Sequence, residues 1–62
     1  MCESNAFLVR GDEEELVLEE VTFMEPVEGG YRLRNLFGEE TVVTGRLQEV
    51  NLIKHKIVFR DE

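Results

Sequence analysis

The chain carries one cysteine, Cys2, and one histidine, His55. A thiolate and an imidazole together can serve as nucleophile and base, or as ligands for a soft to borderline metal ion. The first use needs a third, orienting acid and a cleft in which all three converge. The hydroxyls Ser4, Thr22, Thr41 and Thr44 fall into no such arrangement, and no catalytic residue is expected. The second use finds no CxxC or HExxH spacing, which sets aside a closed structural zinc site from one chain. His55, in the polar reversal IKHK, reads as an ordinary surface imidazole, because ligation requires converging partners.

Cys2 differs by its address. Removal of Met1 would leave a free α-amine two carbons from the thiol, and these two atoms close a five-membered N,S chelate. With Met1 retained, the Met1 amine and the Cys2 amide and thiolate offer another short chelate. Either set binds as its protons leave, so the metal drives its own site. One chelate half fills the coordination of Ni(II) or Cu(II). Two, brought together across a dimer axis, give an N₂S₂ set that suits a square-planar ion. Thiolates also suit Zn(II) and Cu(I), and many near-terminal cysteines are incidental. Spacing alone favours that plainer reading.

The elements that must position these residues fit into little chain. Sixty-two residues make one expected domain, 1–62, near the lower size at which a chain buries enough apolar surface to fold alone. Hydrophobic residues are 42% of it, enough for a core. A single cysteine rules out an internal disulfide, so metal binding, association or tight packing must add stability, and a homodimer is expected. Fourteen acidic against seven basic residues give a net charge of −7. Nucleic-acid binding rests on phosphate neutralisation, and the charge weighs against it. Its only candidate residues are Arg32, Arg34 and Arg46, with Tyr31 to stack a base and Lys54 and Lys56 as further charges. No apolar run is long enough for a membrane helix and the start has no signal-peptide pattern, so a cytoplasmic protein is expected.

Period two dominates the pattern. NAFLVR reads as a strand and GDEEE as a turn. ELVLEEVTFM alternates on Val17, Glu19, Val21 and Phe23, with Leu16 and Leu18 opposite; Pro26 ends it, and EPVEGG is a loop. YRLRNLF puts Tyr31, Leu33, Asn35 and Phe37 on one side and Arg32, Arg34 and Leu36 on the other. ETVVTG and KIVFR are further strands, and RLQEVNL is a strand or a helical turn. Five or six short strands without a convincing helix predict an all-β, strongly bent antiparallel barrel of the SH3-like or Sm-like kind.

From MCESNAFLV through LVLEEV and YRLRNLFGEE to VNLIKHKIVF, the chain resembles the CooT family of small nickel-binding proteins associated with carbon monoxide dehydrogenase. Met1-Cys2, the LFGEE turn and the closing N-L-x-x-H-x-I-V pattern carry most of the likeness. The resemblance implies a homodimeric SH3/Sm-like barrel and Ni(II) binding that depends on the second residue, here Cys2. Its implied client is carbon monoxide dehydrogenase. An Sm-like single-stranded RNA-binding module is the alternative, resting on fold analogy alone.

Overall fold

The computed structural model describes residues Ser4 to Asp61. It contains six strands in one sheet: β1 (Ser4–Arg10), β2 (Glu13–Val27), β3 (Gly30–Asn35), β4 (Glu40–Thr44), β5 (Arg46–Asn51) and β6 (Lys56–Arg60). The described residues include no helix, hence none long and apolar enough to cross a membrane. The spatial order is β4-β3-β2-β1-β6-β5. The fold is the all-β, SH3-like one expected, with two refinements. Strands β1 and β6 pair parallel, Asn5 opposite Lys56 and Val9 opposite Arg60, while every other pair is antiparallel. The barrel also stays open, since β4 and β5 end the sheet without pairing to each other. Only Gly45 separates these two end strands in sequence, so the sheet must curl until its ends meet at that residue.

The curl comes mainly from β2, which is long enough to serve two partners. Its first part pairs with β1 and its second, from Val21 to Val27, with β3. Between them Glu20 takes a left-handed φ of 57°, and the register shifts on either side. A bulge of this kind inserts a residue and bends the strand. The sequence supplies its satisfaction locally: the Glu20 N–H donates to Asn5 Oδ1 at 3.2 Å, and the Leu36 N–H donates to the Glu20 carbonyl at 2.9 Å.

The bulges also correct the face assignment along β2. Strict alternation puts Val21 and Phe23 on one face, yet Val21 is buried and Phe23 is 39% exposed, while Leu18 and Met24 pack against the core. Each inserted residue moves the following side chains to the other face. Two expected loops are strand as well. Glu13, Glu14 and Glu15 lie opposite Arg10, Val9 and Leu8, and ion pairs from Arg10 to Glu15 and Lys56 to Glu14 offset their charge. Pro26 does not end β2 but sits inside it, opposite Tyr31. There the described part of β1 has already run out, so the missing N–H removes no ladder bond on that side.

Inside the curl lie Ala6, Leu8, Val21, Leu33, Val43, Ile57 and Phe59, with Phe59 and Leu33 fully buried. Tyr31 covers this cluster, its ring 5.3 Å from that of Phe59. Asn35 is the buried polar residue among them. Its Oδ1 accepts from the N–H groups of Phe37 and Glu39, at 3.1 and 2.8 Å, and its Nδ2 donates to Glu39 Oε1. That network closes the LFGEE turn and leaves no buried amide atom wanting a partner.

Candidate functional site

Cys2 lies outside the described residues. The geometry around it is therefore that of the strand from which it extends. Strand β1 has β2 on one side and β6 on the other, with Ser4 opposite Val21 and Asn5 opposite Lys56. The first ladder residues are held from both flanks: the Asn5 N–H donates to the His55 carbonyl at 2.9 Å, and the Asn5 side chain receives the Glu20 N–H. Two residues after Cys2, the chain is thus fastened into the middle of the sheet.

The β5–β6 turn adjoins this point. His55, at its end, has a φ of 56° and an exposed side chain. Leu52 and Ile53, in the same turn, are 74% and 91% exposed. Among the described residues no group of three or more His, Cys, Asp and Glu side chains gathers as a metal cage would require.

The four residues of the nucleic-acid alternative do not form one surface. Arg32 and Arg34 share the outer face of β3, whereas Tyr31 points inward onto Phe59. Each arginine already has a carboxylate from a neighbouring strand: Arg32 pairs with Glu25, and Arg34 with Glu40 at 2.8 Å while stacking over Phe23. Arg46 opens β5, opposite Arg60, on a different part of the sheet. Elsewhere Arg10 is hydrogen-bonded by Asp61, which raises its pKa above the usual arginine value, and Lys56 meets Glu14. Carboxylates thus meet Arg10, Arg32, Arg34 and Lys56, which weakens these positions as a track for a phosphate backbone. The partners of Arg32 and Arg34 come from pairing across strands and carry no local signal in the sequence.

Comparisons with known proteins bear on the whole chain. Residues 1–60 match the family profile described as "CO dehydrogenase accessory protein CooT". An uncharacterized protein of Methanothermobacter thermautotrophicus is 36% identical over 62 residues, covering all of this chain and 92% of that one. A crystal structure assigned to CooT from Carboxydothermus hydrogenoformans superposes with a TM-score of 0.90 at 41% identity, covering 98% of both chains.

Proposed function

The chain belongs to the CooT family of CO dehydrogenase accessory proteins, and from that premise we propose that it carries Ni(II) as cargo, held by Cys2 and delivered to the client enzyme. The observation that carries this reading is that the family match includes the terminal segment with Cys2. The donor set fits the ion: a thiolate and a terminal or amide nitrogen suit Ni(II), and both ligands are deprotonated as the ion binds. One chain supplies two such donors, so the ion is shared by two copies, each contributing one N,S pair. Support for a paired state comes from the large apolar side chains left exposed on so small a chain, including Phe37 at 70% and Val42 at 56% exposure.

Function follows from the placement. A ligand set at a chain end is reached by a competing ligand from several directions, so the ion passes by stepwise exchange. The protein makes and breaks no covalent bond in this role, and it acts in the cytoplasm beside its client.

Calorimetric titration with Ni(II) tests the reading, with mass spectrometry to establish whether Met1 is retained. Saturation is expected at one ion per two chains, and Cys2→Ser should weaken binding by about 1.4 kcal/mol or more, tenfold in affinity. Unchanged affinity in the serine variant removes Cys2 from the site, and one ion per chain removes the shared arrangement.

A further inference from the structure

We propose that the β5–β6 turn docks into a groove of a second copy of this chain, reciprocally about a twofold axis. The proposal rests on the paired state invoked above and gives it an interface. The turn presents apolar side chains on a fixed frame. Leu52 and Ile53 are 74% and 91% exposed, more than any other large hydrophobic side chain among the described residues. The frame is closed by two hydrogen bonds of 2.9 Å, from the Lys54 N–H to Asn51 Oδ1 and from the Asn5 N–H to the His55 carbonyl. A frame already ordered loses little entropy on binding. Charge also sets the turn apart. Asn51 to Lys56 holds two lysines and no carboxylate, in a chain of net charge −7. Lys56 meets Glu14, whereas the Lys54 side chain has no hydrogen bond or ion pair with another described residue.

The groove has the opposite charge. Leu16, Leu18 and Thr41 line about 540 Å³ of space together with Glu19, Glu39 and Glu40. It lies open because β2 pairs with β3 only from Val21 onward. Glu40 meets Arg34, and Glu39 accepts from Asn35 Nδ2, but neither Glu19 nor Glu39 has a cation beside it among the described residues. An apolar turn with an unpaired lysine thus matches an apolar groove with unpaired carboxylates. Both belong to one chain, so a second copy is the occupant that the charges select. Position makes the match reciprocal. The His55 carbonyl is bonded to the Asn5 N–H, Asn5 Oδ1 to the Glu20 N–H, and the Glu20 carbonyl to the Leu36 N–H. These three steps, each about one strand spacing, span at most about 15 Å, so turn and groove lie side by side at one end of the barrel. Complementary patches placed side by side pair twice across a single twofold axis. The turn of each copy enters the groove of the other, and the axis passes near Asn5 and Glu20.

Sedimentation equilibrium of the full chain tests this, with a chelator and with Ni(II). The samples are wild type, Ile53→Ser, Lys54→Glu, Glu19→Lys, and Lys54→Glu combined with Glu19→Lys. All three side chains are exposed, and circular dichroism checks that each variant folds. Wild type should dimerise without the ion. Ile53→Ser and each single charge reversal should weaken dimerisation about tenfold or more, because a twofold contact feels every substitution twice. The double reversal should recover most of that loss. A wild-type dimer indifferent to all the substitutions overturns the contact and leaves the paired state standing. Single reversals that weaken the dimer without recovery in the double variant overturn the placement of the turn in the groove. Dimerisation that requires Ni(II) also overturns the proposal, and leaves the nickel reading intact. A monomer under both conditions overturns the contact and the paired state together, and leaves the turn to a different protein.

Discussion

A methyl group at Gly45 would stand 2.3 Å from the carbonyl oxygen of Arg60, on a backbone whose φ is +114°. Two independent demands, steric and conformational, thus meet at the residue that joins the two ends of the sheet. Its N–H donates to the Gly29 carbonyl at 3.2 Å, which fastens the corner to the β2–β3 turn. Gly45→Ala is expected to destabilise the protein by about 2–4 kcal/mol, with a fall in thermal midpoint of roughly 4–8 °C for each kcal/mol. A thermal melt followed by circular dichroism checks this. A variant as stable as wild type would mean that the corner relaxes freely. At the same scale, the role proposed for Cys2 rests on its donor atoms.

Strand β2 is the element on which the architecture turns. Its period-two pattern is legible in the sequence, as are the strands β1, β3, β4 and β6 and the turns at Gly11, Gly29 and Gly38. The bulge at Glu20 is not, because a glutamate at positive φ leaves no compositional sign; glycine is the residue that normally marks such a site. The clue lies in Asn5 and Leu36, whose groups satisfy Glu20, and neither is near it in sequence. Glu20→Gly should therefore be neutral or stabilising, within about 1 kcal/mol of wild type, while Glu20→Val should cost roughly 1–2 kcal/mol. Urea unfolding of the two variants provides the comparison, and equal effects from both would sink the argument. The same limits explain the reading of GDEEE as a turn. Three successive carboxylates suggest solvent, but Arg10 and Lys56 meet two of them and β1 supplies the backbone partners.

For the whole molecule, the net charge of −7 and the pairing of its cations act together. A barrel of this net charge, in which Arg10, Arg32, Arg34 and Lys56 meet carboxylates, presents a negative surface, which favours cations over phosphates. Filter binding with single-stranded RNA at low and moderate salt should accordingly show no tight, steeply salt-dependent association. Binding that is tight, falls steeply with salt and ignores Cys2→Ser would favour the Sm-like alternative instead. Glu25→Gln with Glu40→Gln, which releases Arg32 and Arg34, is the variant most suited to expose any latent affinity.

The sequence by itself determined that the chain would be all-β, where most strands begin and end, and that its one thiol would sit beside the amino terminus. These are local properties: alternation, turn residues and position in the chain are each read within a few residues. Tertiary structure decided which face Phe23 and Met24 present, that the first and last strands run parallel, and that each β3 arginine has a carboxylate partner. It also decided that His55 abuts the root of the terminal segment. Those outcomes depend on how the bulged β2 curls the sheet around Leu33 and Phe59. Burial of that core selects the pairing of distant strands, and no short stretch of sequence encodes it.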